Sequence, residues 1–212
     1  MDKMDKLGQG ITAHPAEHRD YTGAKLGMWL FLFTEILLFG GLFLLYSVYR
    51  EMHANEFHEA GREMSVTIGA VNTIVLLTSS LTMALAISAI KNGSKMRSIL
   101  LQGTTIVLGS AFLVNKAFEW SEHIRHGYYP DSPELLAMNH GKVLYFGLYY
   151  VMTGIHGLHV LIGMCVIGFT LVLTLRDNIS RGDYIKLENA GLFWHLVDVI
   201  WIYLFPLFYL II

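Results

Sequence analysis

Five long blocks of apolar residues constrain this chain more than any other feature of its sequence. They cover approximately residues 26–49, 66–90, 98–120, 143–175 and 190–212. A helix that crosses a bilayer needs about 20 mostly apolar residues, whereas a tilted barrel strand takes only about 9–11. Because lipid offers the backbone no hydrogen-bond partners, each block must satisfy its peptide groups internally, as an α-helix does. The sequence therefore predicts an all-α integral membrane protein, a bundle of five transmembrane helices.

The composition agrees with this class and leaves no room for a second domain. The chain is 54% hydrophobic and only 15% charged, whereas a soluble domain carries about 25% charged residues. Residues 1–25 are predicted to be a polar N-terminal tail without the apolar segment of a signal peptide, and residues 26–212 a single transmembrane domain. The single cysteine, Cys165, lies inside the fourth block and can form no internal disulfide. The polar segments are too short for a nucleotide fold, and we expect no nucleic-acid partner.

The distribution of positive charge predicts the orientation. Ten lysines and arginines fall on one side, in the N-terminal tail, the turn after the second span and the loop after the fourth: Lys3, Lys6, Arg19, Lys25, Lys91, Lys95, Arg97, Arg176, Arg181 and Lys186. Four fall on the other side: Arg50, Arg62, Arg125 and Lys142. Positive charge prefers the cytoplasmic side. We therefore expect the N-terminus inside and, after five spans, the C-terminus outside.

Ionisable residues inside the spans are candidates for function, since each costs free energy in lipid. Glu35 and Asp198 both lie roughly 12–14 Å into their spans from the same side, so they could share one level. Each either fixes helix packing or belongs to a proton path or a lipid or subunit contact. Lys116 and Glu119, three residues apart, share a face near the outer end of the third span. There both side chains can snorkel to the interface, as a local ion pair or as a contact to a partner subunit or headgroup.

Three histidines suggest a metal or haem site, but their spacing argues against it. His156 and His159 share a face of the fourth span, and His195 follows on the fifth. Counting residues places His195 about 15 Å away from His159 along the membrane normal, too far for ligand bonds near 2 Å. We therefore expect no metal, no haem and no other cofactor in this chain, and interhelical hydrogen bonds from these histidines instead.

Five strings of residues, in order, resemble subunit III of the haem–copper oxidases. They are GMWLFLFTEILLFGGLF from Gly27, NTIVLLTSSLTMALA from Asn72, KAFEWSEHIRHG from Lys116, TGIHGLHVLIGM from Thr153 and FWHLVDVIWIYLFPLFYL from Phe193. Together they extend over most of the chain from residue 27 to residue 210. The resemblance carries the family's structural and lipid-linked positions onto Glu35, Glu119, His156, His159, Trp194, His195 and Asp198, and none of them is catalytic.

The resemblance implies a subunit without redox centres that packs against catalytic subunit I and other oxidase subunits. Haem and copper are expected in those partners, and bound phospholipid in this chain. The family's third subunit stabilises the complex and supports proton uptake. Members with seven spans carry two extra N-terminal helices that form one wall of a lipid-filled cleft, and this chain lacks both.

The strings at Lys116 and Asn72 are more similar to the cytochrome c oxidase branch, a proton-pumping terminal oxidase of aerobic electron transport. The alternatives are a quinol oxidase and an accessory subunit of a nitric oxide reductase. A free-standing transporter is disfavoured, since there is no broken helix and no inverted repeat; a membrane haem enzyme in its own right is a further alternative. We expect a multi-pass protein of the bacterial inner membrane, with membership of a larger respiratory supercomplex left open.

Overall fold

Five long helices confirm the predicted all-α bundle. The computed structural model describes residues 21–210. Its helices are α1 (Tyr21–Met52), α2 (Ala54–Gly61), α3 (Val66–Lys91), α4 (Lys95–Arg125), α5 (Pro133–Leu136), α6 (His140–Leu175) and α7 (Ile185–Phe205), which continues as a π-helical turn over Pro206–Leu210. Five of them, all except α2 and α5, are long and apolar enough to cross a membrane. Residues 21–210 contain no β-strand.

The helices extend beyond the predicted spans. Helix α1 already includes Tyr21, the first described residue, which lies inside the segment expected to be a polar tail, and α7 begins at Ile185 where residue 190 was predicted. Helix α4 continues to Arg125, past the predicted end at residue 120. The length of an apolar block indicates only the part of a helix that crosses the hydrocarbon core, about 20 residues. The helix itself can continue through the headgroup region. The tail residues 1–20, and residues 211–212 of the fifth predicted span, lie outside the described residues.

Helix α7 is central and α1 is peripheral. Half of the most apolar window of the α7 span is buried inside the protein, compared with 11% for α1. Helix α3 packs along α4, α7 lies against both α3 and α6, and α1 contacts mainly α6 and α7. Most of the α1 surface is therefore left to lipid or to a partner.

One end of the bundle gathers the start of α1, the turn between α3 and α4 and the loop before α7. The turn closes at Gly93, whose φ of +77° suits glycine. Glu188 contacts Lys25 at 2.9 Å and Lys91 at 3.2 Å, joining α1, α3 and α7. Among the described residues, the segments that the charge analysis assigned to one membrane side thus meet in space, although which side they face stays a prediction.

The opposite end, here called the α2 end, carries two short helices that the sequence analysis did not predict. Phe57 of α2 is buried, and its ring packs edge-on against Tyr46 and Tyr145 at centroid distances of 5.5 and 5.4 Å. The Ser132 hydroxyl caps α5 by accepting the Leu135 N–H at 3.1 Å. Both helices are too short and too polar to be read from hydropathy alone.

Candidate functional site

A buried ion pair with two tyrosines lies between α4, α6 and the end of α7. The Lys116 ammonium is 3.2 Å from Glu119 Oε2. It also donates to the hydroxyls of Tyr149 and Tyr209, both at 2.9 Å. Those two hydroxyls in turn donate to Glu119 Oε1, from Tyr149 at 2.5 Å and from Tyr209 in a short hydrogen bond. We call these four residues the Lys116 cluster.

The cluster corrects one expectation. Lys116 and Glu119 do form the predicted ion pair, but they do not snorkel, because their side chains are only 8% and 2% exposed. Helix α4 continues for nine residues beyond Lys116, which places the pair deeper than a helix ending at residue 120 would. The ammonium also lies 4.8 Å from the ring centroid of Tyr149 and 5.4 Å from that of Trp201. The pair is an internal connection between helices, so neither group is free to contact a headgroup.

Glu35 pairs with His159, which joins the peripheral helix α1 to α6. Glu35 Oε2 lies 2.9 Å from His159 Nε2, and the two side chains are 14% and 12% exposed. His159 Nδ1 is 2.7 Å from the Ile155 carbonyl, which can only accept, so Nδ1 carries a hydrogen. The contact at Nε2 therefore holds one shared proton, either on the imidazole or on the carboxyl. The pair can exchange this proton without leaving an isolated charge in the membrane.

Asp198 does not join Glu35, although the sequence placed the two acids at one depth. Its side chain is 3% exposed, and neither carboxyl oxygen has a partner of hydrogen-bond geometry in the described chain. The Ser80 hydroxyl lies near this carboxyl, and its hydrogen-bond partner is His195 Nδ1, 2.7 Å away. Ser80, His195 and Asp198 thus form a second polar group, at the contact between α3 and α7.

His156 has a different environment from His159. It is completely buried, neither ring nitrogen has a hydrogen-bond partner, and its ring packs against Phe112 and Trp201 at centroid distances of 5.6 and 5.3 Å. The expectation that it hydrogen-bonds to another helix is therefore wrong. His156 acts in this structure as an aromatic packing residue.

Trp194 fixes the centre of the bundle. Its indole N–H donates to the Ser79 hydroxyl at 3.1 Å, across α7 and α3. Gly109 and Gly163 accommodate its ring, because an added Cβ at either glycine would lie 2.8 Å from a ring carbon. Polar residues of α3 connect it to other helices here and again where Thr82 meets Thr105 of α4 at 2.8 Å.

The three histidines of the sequence analysis have three different surroundings. Among residues 21–210, no group of three or more His, Cys, Asp or Glu side chains is arranged to hold a metal ion. That the chain itself carries no metal or haem stays a prediction.

Sequence reasoning missed the tyrosines. Tyr149 and Tyr209 complete the Lys116 cluster, while the Tyr46 and Tyr145 hydroxyls donate to the carbonyls of Leu207 and Phe208 at 2.5 and 2.8 Å. A tyrosine inside a span should have been a signal, since a buried hydroxyl needs a partner. These bonds hold the π-helical turn against α1 and α6.

Comparison with known proteins places the whole chain in one group of relatives. The sequence model of the family described as cytochrome c oxidase subunit III matches residues 11–211. Cytochrome c oxidase subunit 3 of Thermostichus vulcanus is 31% identical, over 98% of this chain and 96% of its own length. Cytochrome bo(3) ubiquinol oxidase subunit 3 of Pseudomonas aeruginosa is 28% identical, over 93% of this chain and 90% of its own length. A haem–copper oxidase subunit I+III of Aeropyrum pernix is 29% identical, over 92% of this chain and 24% of that protein.

Proposed function

From the chain's membership of the cytochrome c oxidase subunit III family, which makes it subunit III of a haem–copper oxidase, we infer that its role is non-catalytic. In this proposal it stabilises the catalytic subunit and supports proton uptake in an oxidase that reduces oxygen and pumps protons. The observation that carries the proposal is a family match over residues 11–211, on a chain whose polar residues are used to join helices.

We propose subunit I as the direct partner. The relative from Aeropyrum pernix is named as subunit I+III, so one chain carries both subunits. Two subunits that are joined in one chain in a relative are expected to pack against each other where they are separate chains. The peripheral helix α1, with most of its apolar surface open, leaves ample area for contacts with such a partner or with phospholipid. Haem and copper belong to the partner subunits in this proposal.

For proton uptake, the Glu35–His159 pair is the candidate within this chain. It shares one proton and remains partly accessible, in contrast to the closed Lys116 cluster. A purely structural role, in which the pair only ties α1 to α6, is the competing interpretation. Replacement by glutamine separates them, because an amide keeps the hydrogen bond but cannot pass on a proton.

The electron donor is proposed to be cytochrome c, with a quinol as the second candidate. Relatives named for both kinds of oxidase match nearly the whole chain, at 31% and 28% identity. We propose that the protein lies in the bacterial inner membrane, with the end of the bundle that carries Lys25 and Lys91 in the cytoplasm.

The test is to purify the complex through a tag on this chain in mild detergent. We expect haem-containing subunits to co-purify and the complex to consume oxygen with reduced cytochrome c. Activity with ubiquinol but not with cytochrome c would move the protein to the quinol branch. Purification of the chain alone, from cells whose oxidase is intact and active, would contradict the proposal.

A further inference from the structure

Asp198 is a buried carboxyl group without a counter-charge. Its side chain is almost completely enclosed, and among residues 21–210 neither carboxyl oxygen has a hydrogen-bond partner. Within the described chain, its ionisation is influenced only by burial and by the neighbouring Ser80 hydroxyl. An isolated carboxylate in an apolar interior is very costly, and such a group is neutralised instead. Asp198 therefore carries a proton in the closed bundle.

No charged group of the helices packed against α7 acts on this carboxyl within residues 21–210. Helix α3 contains no ionisable side chain before its last residue. In the middle of the bundle, Lys116 and Glu119 of α4 are paired with each other. Glu35 of α1 is paired with His159 of α6, and His156 of α6 is enclosed by aromatic rings. The proton is therefore held by burial and not by a neighbouring anion.

A hydroxyl and an imidazole connect this carboxyl to the outside of the bundle. The Ser80 hydroxyl lies near the Asp198 carboxyl, and its oxygen is 2.7 Å from Nδ1 of His195. The His195 side chain is partly exposed. A hydroxyl both donates and accepts, and a neutral imidazole carries its hydrogen on either nitrogen. The three side chains thus have the order and the chemistry of a proton relay that ends at Asp198.

Small exposed side chains lead from the charged end of the bundle towards this relay. On α3, Ser80, Ala84 and Ser88 follow at intervals of four, which places them in one stripe, and the last two are exposed. The stripe ends one turn before the lysine that contacts Glu188 at 3.2 Å. On α7, His195 is seven residues from the same Glu188, about 10 Å along the helix. A proton at the charged end therefore has a short distance to travel to the imidazole.

We propose that Asp198 is a proton-binding site inside the bundle, loaded from the charged end through His195 and Ser80. A proton binds to Nε2 of His195, and the imidazole passes the hydrogen of Nδ1 to the Ser80 oxygen. Ser80 passes its own hydrogen to the Asp198 carboxylate. One proton enters, the carboxylate becomes neutral, and the imidazole ends as its other neutral tautomer. The same steps in reverse release the proton.

This site differs from the Glu35–His159 pair. There the acid and the imidazole are in direct contact at 2.9 Å and keep one proton between them. In the relay a hydroxyl separates the two groups, so the proton is stored away from the surface of the bundle. The site requires only that the chain spans a membrane, and it is independent of the proposed role in an oxidase.

The test follows the Asp198 carboxyl by infrared spectroscopy. The protein is purified through a tag on this chain, with the subunits that accompany it, and held in nanodiscs. A protonated carboxyl has its own C=O stretching band, which shifts when its hydrogen is replaced by deuterium. We expect such a band in the wild type, missing in Asp198→Asn, and a shift of the band in heavy water. Identical carboxyl bands in the wild type and Asp198→Asn would show an ionised Asp198 and overturn the proposal.

Replacement of Ser80 breaks the relay without removing the acid. Ser80→Ala should slow deuteration of Asp198 at least about tenfold, because one hydrogen-bonded step is lost. Loosened packing would speed deuteration instead, so the direction of the change separates the two causes. Ser80→Thr keeps a hydroxyl and should restore the wild-type rate. Thr78→Val is the control, since that exposed hydroxyl donates to the Ile74 carbonyl of its own helix, and it should change nothing.

The imidazole is tested in the same way. His195→Asn keeps a hydrogen-bonding group beside Ser80 but does not take up a proton, so it should slow deuteration of Asp198 about as much as Ser80→Ala does. Deuteration in His195→Asn or in Ser80→Ala at the wild-type rate would show that the proton enters elsewhere, and it would contradict the relay.

Discussion

Removing one charge of the Lys116 cluster should destabilise the bundle more than removing both. Lys116 and Glu119 are almost completely buried, 3.2 Å apart. Loss of one partner of such a pair costs about 3–5 kcal/mol, because the other charge stays buried without compensation. We expect Lys116→Met at the lower end, about 3 kcal/mol, because the two tyrosine hydroxyls still donate to Glu119.

The double variant Lys116→Met/Glu119→Gln leaves no charge behind. It still leaves the hydroxyls of Tyr149 and Tyr209 short of a charged partner, at about 1 kcal/mol each. Its cost of about 2 kcal/mol is then smaller than that of either single variant, so the two changes are strongly non-additive. Tyr145→Phe is the control, since it removes a neutral hydrogen bond to the Phe208 carbonyl. It should cost about 0.6 kcal/mol, the average for such bonds between membrane helices.

The assay is reversible unfolding of the purified chain by dodecyl sulfate in mixed micelles. Far-UV circular dichroism follows helix content, and tryptophan fluorescence follows the core, where Trp201 lies beside the Lys116 ammonium. The wild-type chain must first retain its helical spectrum in the detergent. The reasoning from burial would be refuted if either single variant lowered the free energy of unfolding by less than about 1 kcal/mol. It would also be refuted if the loss in the double variant equalled the sum of the two single losses.

Three further measurements test other parts of the structure. Glu35→Gln should keep this chain in the purified complex and Glu35→Ala should lose it; in the glutamine variant, slowed oxygen consumption would establish the proposed proton-linked role, and normal oxygen consumption a purely structural one. Gly163→Ala should destabilise the chain by about 1–3 kcal/mol, since its Cβ would lie 2.8 Å from Trp194, whereas Gly168→Ala, with open space at its Cβ, should be silent. A reporter fused at Gly93 should be active only in the cytoplasm and one fused at the C-terminus only outside; the reverse pattern would refute the charge argument. 

The sequence predicted the number of membrane-spanning helices and the fold class because the bilayer imposes them. Each span must be long, apolar and helical whatever its neighbours are. The ion pair of Lys116 with Glu119 was also predictable, since it depends on a spacing of three residues within one helix. The extents of α1 and α7 and the existence of α2 were not, because polar residues at a helix end carry no hydropathy signal.

The partners of the polar residues depend on tertiary packing that a single sequence does not reveal. Glu35 and His159 are 124 residues apart in the chain, and Lys116 and Tyr209 are 93 apart. Equal depth suggested that Glu35 faces Asp198, but depth fixes only one coordinate. The rotation of each helix about its axis selects the partner, and it turned Glu35 of α1 towards α6.

That rotation is difficult to predict because lipid and protein interior are equally apolar. A soluble helix marks its buried face with hydrophobic residues, whereas here Leu37 is exposed and Leu32 is buried on the same helix. Polar residues mark the inward face instead, since a group such as Lys116 is satisfied only by another helix. Helix α1 contacts few neighbours and uses Glu35 to join α6, so its packing is held at few points. Between these points the contact with α7 remains open as a groove along Gly40, because no polar residue of α1 is available there to draw the two helices together.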